Sequence, residues 1–125
     1  MNKLNEQIHI VIFDDNIDIL EMVQDVLEIR SYRVTTCQLL NEFKETVARD
    51  SPDIIICDIL MSGLDGRTIC QDLKADPKTE NIPLILFSAL RNSKKSATEA
   101  GADFFLEKPF DIDALYRLID DAIAI

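Results

Sequence analysis

Polar side chains end four of the apolar runs in this chain, and their types suit phosphoryl transfer. Asp58 ends one run and opens a turn-like stretch, while the other three runs are followed by Asp14 with Asp15, by Ser88 and by Lys108. If these runs are parallel strands, all their ends meet at one edge of the sheet, where ligands bind. Carboxylates, a hydroxyl and an ammonium at one edge form a set of groups that can hold and transfer a phosphoryl group.

The three carboxylates Asp14, Asp15 and Asp58 predict a metal site. Like charges within a few ångströms destabilise one another unless they are protonated or neutralised. Mg²⁺, which prefers oxygen ligands and is often held by one or two carboxylates plus waters, resolves this conflict. The simpler alternative is that acidic residues merely follow strands into loops. That alternative is strong for one aspartate and weak for a pair with a third on another strand.

Lys108 and Ser88 supply the other polar groups. A lysine at a strand end can pair with a carboxylate or bind a phosphoryl oxygen as a point charge. Pro109 follows it, and a proline in so tight a turn could be cis, which would aim the lysine inward. Ser88 could donate a hydrogen bond to a phosphoryl oxygen, although a serine at such a position is more often a turn former.

The elements that position these groups alternate along the chain. Short apolar runs predict strands at 8–13, 32–36, 54–57, 84–87 and 104–106. Helical spacing marks Leu20, Val23 and Leu27; Leu40, Phe43 and Val47; Ile69 and Leu73; and Leu115, Leu118, Ile119 and Ala122. A fifth, alanine-based segment at about 93–100 has little apolar area, so we predict that it is the most mobile helix. Gly101 is its expected C-terminal cap and Asp111 caps the last helix.

The pattern of the strands indicates the fold class. The runs at 10–13, 54–57 and 84–87 are apolar throughout, as in parallel strands covered by helices on both faces. Alternating strands and helices predict an α/β fold, a three-layer α/β/α sandwich. We find no linker, repeat or low-complexity segment, so we expect a single domain over residues 1–125 with its core at about 7–124.

Composition narrows the function classes. The 125 residues carry a net charge of −10 at pH 7, which argues against binding to nucleic acid or to anionic lipid. Three widely spaced cysteines argue against a disulfide framework or a zinc site. The sequence has no apolar stretch of membrane-spanning length and no signal-peptide pattern. We therefore expect a cytoplasmic location. His9, the one histidine, lies in the first predicted strand, and we predict that its role is structural.

Together these motifs resemble a response-regulator receiver domain of bacterial two-component signalling. Asp14–Asp15, Asp58 and its following turn, Ser88–Ala89, and 108–110 (Lys-Pro-Phe) carry the resemblance, over about residues 7–124. The separations also fit, with 43 residues from Asp15 to Asp58, 30 more to Ser88 and 20 more to Lys108. The resemblance implies a five-stranded parallel sheet in the order 2-1-3-4-5 with five helices.

The resemblance also implies a role for each residue. Asp58 would accept the phosphoryl group, and Mg²⁺ would be bound by Asp15, Asp58 and the backbone carbonyl of Leu60, with Asp14 reaching it through water. Ser88 and Lys108 would contact the phosphoryl oxygens. Ser88 and Phe105 would act as the switch, although a strand-end phenylalanine is commonly a core residue.

The implied function is phosphorelay signal transduction rather than enzymatic turnover. A sensor histidine kinase or a histidine phosphotransfer protein would supply the phosphoryl group. A downstream protein target would bind the face formed by 92–124, and neither nucleic acid nor membrane is an expected partner. The alternatives are a receiver fragment of a larger regulator or hybrid kinase, or a degenerate interaction module that is not phosphorylated.

The sequence departs from the family pattern after Asp58. Ser62 stands where such sequences often carry proline, so this loop is expected to be looser. Leu60 and Leu90 occupy the two positions that, in receivers, flank the path of water to the phosphoryl group. We hypothesise that they slow self-dephosphorylation; the alternative is that both merely pack locally.

Two other α/β families fit less well. A phosphatase of the haloacid dehalogenase type would carry its nucleophile after the first strand as Asp-x-Asp, with a cap insertion; the segment 14–16 reads Asp-Asp-Asn and no insertion follows. A flavodoxin would need a Ser/Thr/Gly-rich phosphate loop at this point, whereas these aspartates repel phosphate.

Overall fold

The computed structural model describes residues 4–61 and 63–125. The strands of the main sheet are β1 (His9–Phe13), β2 (Arg33–Cys37), β3 (Ile54–Asp58), β4 (Leu84–Ser88) and β5 (Phe104–Glu107). The α-helices are α1 (Ile17–Ile29), α2 (Phe43–Asp50), α3 (Gly66–Ala75), α4 (Lys94–Glu99) and α5 (Ile112–Ala124). Two short 3-10 turns lie at Asn5–Gln7 and Leu40–Glu42.

The five strands form one parallel sheet in the order β2-β1-β3-β4-β5. The predicted strand order is therefore confirmed. The three middle strands β1, β3 and β4 are buried along their whole length, while the edge strand β2 is partly exposed. A middle strand covered by helices on both faces must be apolar at every position, which is why these three runs do not alternate.

Helices cover both faces of the sheet, so the three-layer sandwich is also confirmed. Side chains of α1 and α5 pack with Ile10, Ile12, Ile54 and Ile56 on one face. Side chains of α2, α3 and α4 pack on the other face, against the residues that alternate with these in β1 and β3. Successive residues of a strand point to opposite faces, so each middle strand contributes to both cores.

Side-chain caps fix where three helices begin. Asn16 accepts hydrogen bonds from the backbone amides of Asp18 and Ile19 at the start of α1. Asp65 caps α3 and Asp111 caps α5 in the same manner, accepting at 2.8 and 2.7 Å. These caps satisfy amides that have no partner within the helix.

The fourth helix is the shortest, with six residues and only Ala97 buried. Gly101, which follows it, has φ +101°, the left-handed conformation that ends helices and that glycine adopts without strain. The predicted cap at Gly101 is thus confirmed. The predicted mobility of this helix remains a prediction, and its small buried surface is consistent with it.

Two local features differ from the sequence-based expectation. The pattern at Leu40, Phe43 and Val47 predicted one helix, but the chain makes a 3-10 turn before α2 begins at Phe43. After β3, Leu60–Met61 pairs in antiparallel fashion with Leu64–Asp65. The sequence did not predict this two-residue ladder, because so short a pairing leaves no periodic pattern.

Candidate functional site at the carboxyl ends of the strands

Strand register brings the predicted site residues to one edge. Asp58 is the last residue of β3 and pairs with Phe87 of β4, so Ser88 lies one residue further along the neighbouring strand. On its other side, β3 pairs with β1, where Phe13 lies opposite Cys57. Asp14 therefore follows β1 next to Asp58, as the order of the strands requires.

The three aspartates form a compact cluster. One carboxylate oxygen from each of Asp14, Asp15 and Asp58 lies within 4.8 Å of the others. Asp14 is fully buried, Asp58 is 6% exposed and Asp15 is half-buried. Oxygen ligands of this kind, converging from two strands and partly desolvated, fit a hard divalent cation such as Mg²⁺.

Lys108 balances part of this negative charge. Its Nζ donates a hydrogen bond of 3.2 Å to Oδ2 of Asp14 and lies 3.3 Å from Oδ2 of Asp58. The ammonium also lies 4.4 Å from the ring centroid of Phe87, a cation–π contact. The peptide bond between Lys108 and Pro109 is cis. The lysine is only 16% exposed, so its charge acts on the two carboxylates with little screening.

The electrostatics of the cluster raise the pKa of Asp58 from 3.8 to about 6. Burial is the main cause, since desolvation disfavours the ionised carboxylate, and the nearby charge of Asp14 acts in the same direction. Lys108 lowers the pKa and so offsets part of both effects. Asp58 is therefore mostly ionised at neutral pH. The folded state is more stable when this carboxyl is protonated than when it is ionised.

Ser88 and Phe105 lie where the sequence placed them, on adjacent strands. The Ser88 hydroxyl is fully buried and accepts a hydrogen bond of 2.9 Å from the Leu90 amide. Phe105 is half-buried, packs against the core of the α2–α4 face and lines a cavity of about 250 Å³ beside Lys94 and Thr98 of α4. The roles of both as switch residues remain predictions.

The segment after Asp58 folds back on the end of β3. The Gly66 amide donates to the Ile59 carbonyl at 2.9 Å, and a Cβ at Gly66 would lie 2.0 Å from the Asp58 carbonyl oxygen. Only glycine permits this approach. Leu60 pairs with Asp65 in the short ladder, and its predicted contact with the metal remains a prediction.

Sequence reasoning missed two residues of this region. Gly66 entered the prediction only as part of a motif, although an Asp-Gly pair before a helix could have indicated a cap followed by a close backbone approach. Arg67 was not noticed at all. Its guanidinium binds both oxygens of Asp65 and reaches Ser96 of α4, a contact between distant parts of the chain that no local pattern reveals.

Several other expectations can be placed on the structure. His9 is buried in β1, and its Nε2 lies 2.6 Å from Oγ1 of Thr35, which suits a structural role. Ser62, at which the loop was expected to be looser, lies outside the described residues. Across the part of the chain that the structure describes, no helix is both long and apolar enough to span a bilayer.

Comparisons with known proteins agree with this geometry. A family model described as the response regulator receiver domain matches residues 10–120. The response regulator PleD of Caulobacter vibrioides is 38% identical over 112 residues, which cover 88% of this chain and 25% of PleD. The DNA-binding dual master transcriptional regulator RpaA of Synechocystis is 32% identical over 108 residues, 85% of this chain and 45% of RpaA. The chain thus spans between a quarter and half of these two relatives.

A solved structure shows the same architecture. The signal receiver domain of a signal transduction histidine kinase from Syntrophus aciditrophicus superposes with a TM-score of 0.85. The two sequences are 29% identical, and the match covers 93% of this chain and 89% of that one.

Proposed function

Because this chain belongs to the response regulator receiver domain family, we propose that it accepts a phosphoryl group on Asp58 and thereby switches a surface that binds a partner. The observation that carries the proposal is the cluster of Asp14, Asp15 and Asp58 oxygens within 4.8 Å, with Lys108 Nζ 3.3 Å from Asp58 Oδ2. A carboxylate nucleophile, a set of metal ligands and a fixed positive charge are the parts that such a transfer requires.

The proposed reaction is the transfer of a phosphoryl group from a phosphohistidine. A carboxylate oxygen of Asp58 attacks the phosphorus, and the phosphorus–nitrogen bond breaks as its electron pair returns to the imidazole. The product is an acyl phosphate on Asp58, and the donor is a sensor histidine kinase or a histidine phosphotransfer protein. The protein modifies itself once in each cycle, so we do not propose that it is a turnover enzyme.

Mg²⁺ is the proposed cofactor. Asp14, Asp15, Asp58 and the backbone carbonyl of Leu60 would hold it. When bound, it supplies positive charge that offsets repulsion between the carboxylates and the incoming phosphoryl oxygens. Lys108 acts in the same direction from the protein, since its ammonium already lies between Asp14 and Asp58.

Ser88 and Phe105 are the proposed switch. Ser88 would donate its hydroxyl hydrogen to a phosphoryl oxygen, which requires the β4–α4 connection to move toward the site. Phe105 would then turn inward, changing the face formed by 92–124, and a downstream protein would bind the two states of this face with different affinity.

The charge and composition of the chain indicate the class of partner and the cellular location that we propose. A net charge of −10 favours a protein target over DNA or an anionic membrane for this domain, and we propose a cytoplasmic location. We further propose that residues 1–125 form one domain with its core at about 7–124. The alternatives are a receiver within a larger regulator or hybrid kinase, as PleD and RpaA are longer than this chain, or a degenerate interaction module.

Intact mass spectrometry after incubation with Mg²⁺ and acetyl phosphate tests the proposal. We expect one added phosphoryl group in the native chain and none in Asp58→Ala. The same incubation in EDTA should give no adduct, because Mg²⁺ is required. Absence of an adduct together with absence of Mg²⁺ binding would favour the degenerate module.

A further inference from the structure

A chain of hydrogen bonds connects the switch serine to the fourth helix. The Ser88 hydroxyl accepts from the Leu90 amide at 2.9 Å. The Leu90 carbonyl accepts from the Ser93 hydroxyl at 2.7 Å, and the Ser93 carbonyl accepts from the Ser96 hydroxyl at 2.9 Å. Ser88 and Ser93 are buried, and the three bonds are partly buried. We call Ser88, Ser93 and Ser96 the serine chain.

Arg67 joins the end of the serine chain to the loop after the phosphoacceptor. Its Nη1 donates to the Ser96 hydroxyl at 3.1 Å. The other side of the guanidinium, through Nε and Nη2, binds the Asp65 carboxylate at 2.7 to 3.2 Å. Asp65 caps α3 and pairs with Leu60, two residues after Asp58. The series of hydrogen bonds therefore starts at Ser88 and returns, through Arg67 and Asp65, to the loop beside Asp58.

Arginine is the residue type that this position requires. The planar guanidinium presents several donors in fixed directions, so it can bind a carboxylate at two points and still donate to a third group. Lysine would keep the positive charge and a bond to Asp65, but it would lack the additional donors that reach Ser96. The pKa of Asp65 lies below its usual value because of the hydrogen bonds from Arg67, which agrees with a persistent ion pair.

The fourth helix depends on such links more than the other helices. It has six residues and buries only Ala97, so apolar packing contributes little to its position. Hydrogen bonds at its first turn therefore account for an unusually large share of what holds it in place. An element with so little buried surface is suited to move when one bond changes.

We propose that the Arg67–Ser96 hydrogen bond holds the first turn of α4 against the phosphoacceptor loop, and that a phosphoryl group bound by Ser88 releases α4 through the serine chain. This inference rests on the proposed function, and it adds the contacts through which phosphorylation would change the position of α4. When the Ser88 hydroxyl moves to a phosphoryl oxygen, the Leu90 amide loses its acceptor or the loop follows. Either change displaces the Leu90 carbonyl, to which Ser93 is bonded.

Amide hydrogen exchange of residues 94–99 tests the inference in the full chain. Arg67→Lys should speed exchange of these amides in the unphosphorylated protein by about fivefold for the loss of one hydrogen bond, and Ser96→Ala, which also removes the bond to the Ser93 carbonyl, should speed it at least as much. The double variant should add little to Ser96→Ala, because that change already removes the Arg67–Ser96 bond. Thr98→Ala is the matched control, since its hydroxyl also bonds a carbonyl of α4, that of Lys94, but does not reach Arg67.

The second measurement repeats the exchange after phosphorylation, with the adduct quantified by intact mass. In the native chain, exchange in α4 should rise toward the level of the Ser96→Ala variant, while in that variant phosphorylation should change it little. Equal exchange for Ser96→Ala and Thr98→Ala would overturn the inference. A complete adduct with unchanged α4 exchange would also overturn it and leave the proposed function standing. Failure to form any adduct, together with absence of Mg²⁺ binding, would reject the proposed function and with it the release of α4 on phosphorylation.

Discussion

Lys108 Nζ lies 3.3 Å from Oδ2 of Asp58, and the same ammonium donates to Asp14. The two carboxylates therefore share one fixed positive charge in a buried site. This contact joins the ends of β3 and β5, which are separated in the sheet by β4. The parallel order of the strands brings these residues together, and in the proposed function the charge of Lys108 would attract the incoming phosphoryl oxygens.

Replacing Lys108 with methionine should slow phosphorylation by acetyl phosphate. The change removes a charge-assisted hydrogen bond at the reacting group, which corresponds to a loss of about tenfold or more in rate. It also removes the group that lowers the pKa of Asp58, so the pKa should rise further. Rates from intact mass against time provide the test, with Lys78→Met as an exposed control. Equal rates for the two variants would exclude this role for Lys108.

The pKa of Asp58 predicts how stability depends on pH when no metal is bound. A carboxyl whose pKa is about 6 in the folded state and 3.8 as its ordinary value favours folding in its protonated form. The stabilisation of the folded state by protonated Asp58 is fully present below pH 3.8, and it is lost as pH rises through about 6. Asp58→Asn mimics the protonated carboxyl and lacks this loss.

In EDTA, the native chain should therefore lose about 3 kcal/mol of unfolding free energy relative to Asp58→Asn between acidic and neutral pH, since the pKa rises from 3.8 to about 6 and one pKa unit corresponds to about 1.4 kcal/mol. Urea unfolding at a series of pH values measures the difference. Asp121→Asn, at an exposed position in α5, serves as the control. Parallel pH profiles for the native chain and Asp58→Asn would contradict the prediction. Mg²⁺ should reverse the difference, because only the ionised carboxylate binds it.

Much of the sheet and of the candidate site could be predicted from hydrophobic patterns in the sequence. Runs such as 54–57 are apolar without alternation because a middle strand has helices on both faces, and this property identifies the strand without any structural knowledge. The polar residue after each run then identifies the edge that forms the site. The sequence therefore predicted the positions of Asp58, Ser88 and Lys108.

The features that the sequence did not predict are contacts between segments, each made by one or two residues. The Arg67–Ser96 bond joins residues 29 positions apart, and the Leu60–Asp65 pairing is part of a ladder only two residues long. Lys74 donates to the carbonyls of Glu80 and Ile82 and to the Asp103 carboxylate. None of these contacts has a periodicity, so they become visible only when the fold is known.

Gly66 should be essential for the backbone geometry at the end of β3, beside Asp58. Alanine at this position would bring a methyl group 2.0 Å from the Asp58 carbonyl oxygen, and the backbone must move to relieve the overlap. We expect Gly66→Ala to destabilise the fold by about 2 kcal/mol or more and to weaken Mg²⁺ binding. Chemical unfolding and Mg²⁺ titration measure the two effects.

Gly63→Ala is the matched control for this effect. Gly63 lies in the same loop with φ +80°, but a Cβ there meets nothing within 4 Å. Its substitution strains the backbone by about 1 kcal/mol without touching the Asp58 peptide. Mg²⁺ affinity should therefore be retained in Gly63→Ala and reduced in Gly66→Ala, and equal affinities would show that the close approach does not position the site.

Leu60 and Leu90 should determine how long the phosphoryl group persists. Both side chains are exposed, at 54% and 39%, rather than packed in the core. Leu60 lies two residues after Asp58, and the Leu90 amide is bonded to Ser88, so both lie beside the proposed site. Apolar side chains here exclude water or leave it unoriented, whereas a polar group that orients the attacking water speeds hydrolysis.

The double substitution Leu60→Asn with Leu90→Glu should shorten the lifetime of the acyl phosphate by about tenfold, a modest share of what a positioned polar group can contribute. Decay of the intact-mass adduct after removal of acetyl phosphate measures the lifetime. Leu39→Asn is the control, because Leu39 is 60% exposed and lies in the β2–α2 connection. If the double variant decays at the rate of the control, the two leucines do not control the access of water to the phosphoryl group. A faster decay confined to the double variant would establish that they set the duration of the phosphorylated state.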